Sequence, residues 1–192
     1  MPRNNRATPR AERVDGLLDV AEQLLLERGY ADSTVTEVAR RAGVAPNAVH
    51  WYFPDKDALL AAVLTRVFAR EEALLERVDG SGDPVGRLLA ALRKLERYRR
   101  LSSVVHERAV HSPAVEAFHQ RFHAWLTDLL DAALEQRLPA GEPERSLAKE
   151  VVAAVLENAL AHAQGAQPFE RVVRFAIDRV SVAPTPGAAR SG

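Results

Sequence analysis

The chain has 192 residues, of which 47% are hydrophobic and 27% charged, enough for one large helical domain or two small ones. It contains no cysteine, which excludes disulfides, thiolate metal sites and cysteine nucleophiles and suits a reducing compartment. The formal net charge is zero, which counts mildly against nucleic-acid binding, because nucleic-acid-binding domains are usually basic.

No segment indicates a membrane or secreted protein. The longest apolar run, residues 58–64, is too short for the roughly 20 residues that cross a bilayer. The N-terminus has arginines but no apolar stretch of the kind a secretory signal requires. We therefore expect a cytoplasmic protein with no membrane partner.

The N-terminal segment is rich in arginine. Within the first thirteen residues a single acidic side chain accompanies four basic ones, Arg3, Arg6, Arg10 and Arg13. Such an arm can lie along DNA phosphates or enter a minor groove, but most chain termini are solvated tails. Charge alone does not separate these two interpretations.

Helical periodicity is strong along the chain and strand signals are weak, so we predict an all-α fold of about nine helices. The first helix covers residues 11–28 and ends at Gly29, which suits a left-handed C-terminal cap. A capping box, Thr34-x-x-Glu37, begins the second helix, which ends at Gly43.

A third helix begins at Pro46, whose missing N–H costs nothing at the first helical position, and continues to Tyr52 or Phe53. The later helices follow from apolar stripes at helical spacing and from breaks at proline and glycine. We predict them over about residues 56–75, 84–98, 101–111, 113–138, 144–164 and 168–182, followed by a disordered tail at residues 183–192.

The short second and third helices, with a glycine turn between them, are typical of two helices that cross at a steep angle. Ala39 permits close approach, Gly43 permits a positive φ, and Val49 fills the space between the helices. If Val49 and Phe53 point inward, the outer face carries Pro46, Asn47, His50 and Trp51 or Tyr52. One interpretation is that this face binds in a DNA major groove, which is wide enough for a helix. The alternative is a small helical subdomain with an exposed aromatic corner.

Residues 27–60, ERGYADSTVTEVARRAGVAPNAVHWYFPDKDALL, resemble the N-terminal domain of the tetracycline-repressor-type (TetR family) transcriptional regulators. The resemblance extends over about residues 10–65 and rests on Gly29-Tyr30, Thr34, Val38-Ala39, Ala42-Gly43-Val44, Phe53, Lys56 and Leu59-Leu60. It implies an all-α homodimer that binds a palindromic operator through the third helix and is released by a small molecule.

The resemblance also implies a set of DNA-binding residues: Thr34, Thr36, Pro46, Asn47, Ala48, His50, Trp51, Tyr52 and Lys56. Thr34 and Thr36 would contact backbone phosphate at a helix N-terminus, where the partial charge is positive. Residues 46–48 would read bases or pack on thymine methyl groups. Lys56 would anchor a phosphate at the start of the fourth helix.

Two positions depart from the family's pattern. Ala45 stands where a capping serine is common, which weakens the N-cap of the third helix by about 1 kcal/mol. His50 replaces the usual phosphate-reaching tyrosine, so its reach is shorter. Because an imidazole titrates near pH 6.5, we predict that operator affinity rises as the pH falls from about 8 to 6.

We divide the chain into an arm and helix-turn-helix DNA-binding domain at residues 1–54 and a C-terminal helical ligand-binding and dimerisation domain at residues 55–182. The last two helices suit a four-helix dimer interface, although both of their faces could instead be consumed by the monomer's own core. The resemblance favours the homodimer, and symmetric readout requires two recognition helices about 34 Å apart.

An effector pocket is predicted from aromatic side chains with few polar groups, which suit a small and largely apolar ligand. The candidates are Phe68, Tyr98, His106, Phe118, Phe122, Trp125 and Asn158. The alternative is that a phenylalanine stripe at helical spacing is ordinary core. We predict no cofactor apart from this unknown small-molecule effector.

Neither a metal site nor an active site is predicted. His119 and His123 have the i, i+4 spacing of a chelating pair, to which His106, His111 and His162 could add ligands. No carboxylate completes the pattern convincingly, so ordinary surface or core histidines are favoured. The chain has no GxSxG elbow, phosphate-cradling glycine loop or evident carboxylate pair, so we do not expect an enzyme and name no catalytic residue.

We therefore expect a DNA-binding transcriptional regulator, a ligand-released repressor that binds double-stranded operator DNA as a homodimer. Ligand in the C-terminal bundle would favour a state in which the fourth helix moves the recognition helices out of register with the grooves. The alternative is a helical small-molecule-binding or interaction protein that does not bind DNA.

Overall fold

The computed structural model describes residues 10–78, 83–137, 142–161 and 168–181, which form nine α-helices and one 3-10 turn. The helices are α1 (Arg10–Arg28), α2 (Val35–Ala42), α3 (Pro46–His50), α4 (Lys56–Val78), α5 (Pro84–Leu95), α6 (Arg99–Ala109), α7 (Pro113–Arg137), α8 (Glu142–Ala161) and α9 (Phe169–Val180). The 3-10 turn, Glu96–Tyr98, joins α5 to α6. These ranges contain no strand, so the predicted all-α fold of about nine helices is confirmed.

Several predictions concern residues outside the described ranges. The arm residues Arg3 and Arg6, the histidine at position 162 and the tail at residues 183–192 all lie there. Among the helices that are described, none combines the length and the apolarity needed to cross a bilayer.

The third helix is shorter than its sequence pattern predicts. It ends at His50 rather than at Tyr52 or Phe53. A turn follows, in which the Phe53 N–H donates to the Val49 carbonyl over 2.9 Å. This turn directs Phe53 into the core while the chain changes direction towards α4.

The fifth helix also ends early, because a 3-10 turn brings Tyr98 into the interior. The Tyr98 hydroxyl donates to Glu22 Oε1 (2.8 Å), and Arg70 Nη2 donates to the same oxygen (3.1 Å). Burial acts to raise the pKa of Glu22, but the hydrogen bonds from Arg70 and Tyr98 outweigh it and lower that pKa. Burial and the bond to Glu22 raise the pKa of Tyr98 to about 12. These contacts tie α1 to α4 and to the turn after α5.

Two hydrophobic clusters hold the helices together. The first joins α1, α2, α3 and the N-terminal part of α4 to α6 and the start of α7, and Leu24 and Val49 are fully buried in it. The second joins α5, most of α7, α8 and α9, with Phe169 and Leu130 in its centre. The predicted domain boundary after residue 54 stays a prediction, since the first cluster contains residues from both sides of it.

Candidate DNA-binding surface and effector cavity

Two hydroxyl side chains shape the loop between α1 and α2. Ser33 is buried, and its Oγ donates to the carbonyl of Gly29 over 2.6 Å. Thr34 is the N-cap of α2, because its Oγ1 accepts from the Glu37 N–H over 3.1 Å. Only this half of the predicted capping box forms, since the Glu37 carboxylate is engaged by Arg40 (2.8 Å). The Arg40 contact lowers the pKa of Glu37 to about 2.

A glycine turn sets the angle between α2 and α3. Gly43 has a φ of 68°, and the N–H of Val44 after it donates to the Ala39 carbonyl over 3.0 Å. Apart from Gly43 itself and its two chain neighbours, no atom lies within 4 Å of the position that a Cβ would take there. The backbone conformation, not close packing, therefore favours glycine here. Ala39 and Val49 are both fully buried where the two helices meet.

The recognition-helix candidate α3 has one buried and one exposed face. Val49 is fully buried, and such burial contributes about 1.5–3 kcal/mol for a valine side chain. Ala45 makes no side-chain capping bond, as its sequence predicts. The neighbouring exposed side chains are Thr36, Pro46, Asn47, Ala48 and His50. The predicted inward and outward directions are observed, whereas the DNA contacts themselves stay a prediction.

The two aromatic residues after α3 differ in exposure. Trp51 is 79% exposed, and its indole offers an apolar body with one N–H donor. Tyr52 is half-buried against the first cluster, and the Arg10 guanidinium carbon lies 5.6 Å from its ring centroid. Trp51 therefore extends the exposed face of α3, whereas Tyr52 partly supports it from the side. His50 Nδ1 lies 3.3 Å from the Pro54 carbonyl oxygen at the same edge.

Lys56, the implied phosphate anchor, already contacts the loop after α1. Its Nζ donates to the Ala31 carbonyl (3.0 Å) and lies 4.1 Å from the Tyr30 ring centroid. Burial lowers the pKa of Lys56, and the carboxylates of Asp32 and Asp57 partly offset this effect. An ammonium group has three donors, so the Ala31 bond leaves donors available to a phosphate.

A partly buried ion pair that no sequence pattern predicts lies next to Lys56. Arg108 on α6 donates to both carboxylate oxygens of Asp57, from Nε to Oδ1 (3.0 Å) and from Nη2 to Oδ2 (2.6 Å). The Tyr30 hydroxyl also donates to Asp57 Oδ1. The Arg108 bond holds the pKa of Asp57 below its usual range against the effect of burial, and Tyr30 adds to it. Arg108 is 51 residues from Asp57 in the chain, so no local spacing could have paired them.

Six of the seven predicted pocket residues line one cavity between α4, α6 and α7: Phe68, Tyr98, His106, Phe118, Phe122 and Trp125. The Phe68 ring is edge-on to the rings of Trp125, Phe122 and Phe118, at centroid distances of 4.9, 5.9 and 6.4 Å. The cavity offers about 60 Å³ to water-sized molecules, which is room for a few waters. An effector of drug-like size would therefore require the lining side chains to move.

Asn158 does not line this cavity, which corrects its predicted place in the pocket. It is exposed on α8, whereas Leu156 and Leu160, two positions before and after it, are buried. Helical positions two apart point about 200° away from each other. The two leucines that face the core therefore direct Asn158 to solvent.

The last two helices carry apolar side chains on their outer face. Leu147 and Val151 of α8 and Phe175 of α9 are 62%, 44% and 61% exposed. Val151 and Phe175 also line a groove with Val155 and Val172. The core of the monomer therefore does not bury every apolar side chain of α8 and α9. Contiguous exposed apolar surface of this kind is typical of interaction sites.

Sequence comparisons match the N-terminal helices. Residues 17–63 match the family described as bacterial regulatory proteins, tetR family. Over 67 residues the chain is 40% identical to the HTH-type transcriptional repressor BepR of Brucella suis biovar 1 (strain 1330), covering 34% of this chain and 32% of BepR. Over 78 residues it is 36% identical to the HTH-type transcriptional regulator EthR of Mycobacterium tuberculosis (strain ATCC 25618 / H37Rv), covering 40% of this chain and 36% of EthR. The chain thus spans about a third of the length of these two curated relatives.

Solved structures match nearly the whole chain. A transcriptional regulator from Rhodococcus sp. Rha1 has a TM-score of 0.68 at 25% identity, covering 89% of this chain and 99% of that one. A tetR-family transcriptional regulator from Streptomyces coelicolor has a TM-score of 0.66 at 20% identity, covering 90% and 80%, and shows the fold alone. The N-terminal helices thus match the tetR-family model, and the helical architecture is similar to that of these solved transcriptional regulators.

Proposed function

We propose that this protein is a DNA-binding transcriptional repressor that acts as a cytoplasmic homodimer on a palindromic operator and is released by a small-molecule effector. One observation carries the proposal: Val49 anchors α3 from beneath and leaves Pro46, Asn47 and His50 exposed. A short helix with a supported inner face and a polar outer face is what a major groove accepts. The role is binding rather than catalysis.

Phosphates and bases would have separate partners on this surface. Thr36 is exposed in the first turn of α2, where the helix N-terminus favours an anion. Thr34 is occupied as a cap through its oxygen, but its hydroxyl hydrogen can still be donated. Asn47 is an exposed amide at the start of α3, and an amide can bind adenine through two hydrogen bonds.

The outer face of α8 and α9 supports the homodimer. Leu147, Val151 and Phe175 would be buried against the same residues of a second copy, since a twofold interface uses one patch twice. A palindromic operator then follows, because each half-site meets one copy of α3.

Release would act through α4 and α6. Helix α4 carries Phe68 in the cavity and Lys56 beside the reading helices. Helix α6 lines the same cavity and holds the start of α4 through the Arg108–Asp57 ion pair. Because the cavity is narrow, an effector that enters it must displace aromatic side chains. The effector would therefore favour a packing of α4 and α6 that accommodates the displaced side chains.

Selection of bound DNA from a random pool tests this proposal. We expect a palindrome whose half-sites are about 34 Å apart. The Asn47→Ala variant should bind the selected site more weakly by about 1–3 kcal/mol, while Asn158→Ala, which removes an exposed amide far from α3, should not change binding. Ligand binding without any DNA enrichment at low salt would overturn the proposal and favour a helical small-molecule-binding or interaction protein that does not bind DNA.

A further inference from the structure

Three histidines that are separated in the chain meet at one place in the helical bundle. His106 lies on α6, and His119 and His123 lie one turn apart on α7. One ring nitrogen of each lies within 4.8 Å of those of the other two. The ring centroids are 4.8 Å apart for His106 and His119, 5.3 Å for His106 and His123, and 4.2 Å for His119 and His123.

The hydrogen-bond partners of two of these rings determine which nitrogen carries the proton. His106 Nδ1 lies 2.9 Å from the Ser102 carbonyl oxygen, which can only accept. His123 Nδ1 lies 2.5 Å from Glu157 Oε1, and an ionised carboxylate also only accepts. Both Nδ1 atoms are therefore donors, which leaves a lone pair on the Nε2 of each neutral ring. Metal-binding histidines show this arrangement, in which a carbonyl or carboxylate orients the ring through its other nitrogen.

The Nε2 atoms of all three histidines are buried, and none has a hydrogen-bond partner among the residues that the structure describes. Buried polar atoms without partners are uncommon and call for a physical explanation. Glu157 Oε2 lies 3.7 Å from His106 Nε2, which is too far for a hydrogen bond, so this carboxylate does not satisfy the His106 nitrogen. Two Nε2 lone pairs, on His106 and His123, and the unpartnered Nε2 of His119 in one cluster suit a shared acceptor of lone pairs.

We propose that His106, His119 and His123 bind a divalent transition-metal ion of the zinc class, with Glu157 as the carboxylate that orients His123. Imidazole nitrogen suits zinc, copper, nickel and iron, whereas calcium and magnesium prefer oxygen ligands. Three histidines leave the fourth position of a tetrahedral zinc ion for water or another donor. The i, i+4 spacing on α7 brings two ligands to one helix face, and the packing of α6 on α7 supplies the third.

The site joins three helices and touches the cavity. His106 and His123 line the cavity, and Glu157 lies on α8. A bound ion would therefore cross-link α6 and α7 at the cavity wall, and α8 would be joined to the site through the Glu157–His123 hydrogen bond. Because the ion binds the folded state, it should raise the unfolding temperature of the protein.

Metal binding is tested on the full chain, without a histidine tag and after removal of metal by a chelator. Titration with Zn²⁺ should give one strong site per chain. The His119→Ala and His123→Ala variants should each bind Zn²⁺ at least about 100-fold more weakly, and Glu157→Gln about 10-fold more weakly. The matched control is His111→Ala, which removes an exposed imidazole outside the cluster and should leave the strong site intact.

Cobalt gives a second readout that does not depend on stability. Co²⁺ bound by the wild type should show the strong visible absorption of a tetrahedral site, and His119→Gln, which keeps a polar side chain of similar reach, should abolish it while the circular dichroism of the folded protein is unchanged. The proposed site would be overturned if His119→Gln bound Zn²⁺ as tightly as the wild type. It would also be overturned if His111→Ala lost as much Zn²⁺ affinity as the variants within the cluster. No DNA is present in either measurement, so the outcome is separate from that of the proposed function.

Discussion

At the scale of single residues, neighbouring positions on α3 have different physical tasks. Val49 and Asn47 are two positions apart, yet one is fully buried and the other exposed. A change at Val49 would leave a cavity between α2 and α3 and lower stability. A change at Asn47 would leave the fold intact and alter only what the exposed face binds.

His50 should limit how far the edge of α3 reaches towards DNA. Its ring is exposed there, and an imidazole is shorter than the tyrosine that the family's pattern has at this position. We expect His50→Tyr to bind the operator more tightly than the wild type in fluorescence anisotropy at constant ionic strength, because the phenol hydroxyl can donate to a phosphate. Equal affinity of the two proteins would show that reach at this position does not limit binding.

At the scale of helices and turns, the positions of α2, α3 and the start of α4 depend on a left-handed glycine and on an ion pair. Gly43 sets the direction of α3 relative to α2, and the Asp57–Arg108 pair joins the first turn of α4 to α6. Each feature can be removed by one substitution without a change in side-chain volume large enough to disturb the core.

Replacement of Gly43 should be destabilising for reasons of backbone conformation alone. The added methyl group of Gly43→Ala meets no atom within 4 Å beyond the two neighbouring residues, but the φ of 68° should cost about 1–2 kcal/mol in the free energy of unfolding. The matched control is Gly16→Ala, an equally open position inside α1 without a positive φ. This control should stabilise the protein by about 0.5–1 kcal/mol. Urea unfolding measures both, and a destabilised control or a neutral Gly43→Ala would contradict this reasoning.

Removal of the Asp57 charge should lower stability at neutral pH but not in acid. Arg108 lowers the pKa of Asp57 in the folded state. The ionised Asp57 therefore stabilises the folded protein fully above the unfolded pKa of 3.8, and this stabilisation is lost as the pH falls through the lower folded pKa. Asp57→Asn should therefore cost about 1–3 kcal/mol at pH 7, because Arg108 loses a charged partner.

Urea unfolding of wild type and Asp57→Asn at several pH values tests this coupling. The difference in the free energy of unfolding between the two proteins should persist down to about pH 4 and become smaller below it. Asp178→Asn removes a carboxylate whose side chain is 57% exposed and should change little at any pH. A difference that is constant into strong acid would show that the Asp57 charge is not its source.

At the scale of the whole molecule, the outer face of α8 and α9 should decide the assembly. Phe175→Glu places a charge in the proposed interface, and we expect a monomer in sedimentation velocity with weaker operator binding, because two linked copies of α3 are lost. Trp51→Glu is the control, since it charges another exposed aromatic residue, at 79% exposure, and should remain a dimer. A wild-type monomer, or a dimeric Phe175→Glu, would contradict the proposed interface.

Short sequence patterns predict most of the helices and the exposed face of α3. Gly29 and Gly43 both have a positive φ, Pro46 begins α3, and Val49 and Phe53 are buried, as their spacing indicates. These features depend on residues within one or two helical turns, so neighbouring positions in the chain contain the information.

Contacts between distant segments depend on how the helices pack, which no local pattern contains. The Asp57–Arg108 pair, the burial of Tyr98 on Glu22 and the meeting of His106 with His119 each join different helices. The exclusion of Asn158 from the cavity has the same origin, because the rotation of α8 about its axis follows from which leucines meet the core. The helices and the exposed face of α3 thus follow from local chemistry, while the cavity, the histidine cluster and the link from α6 to α4 arise only when the helices are assembled.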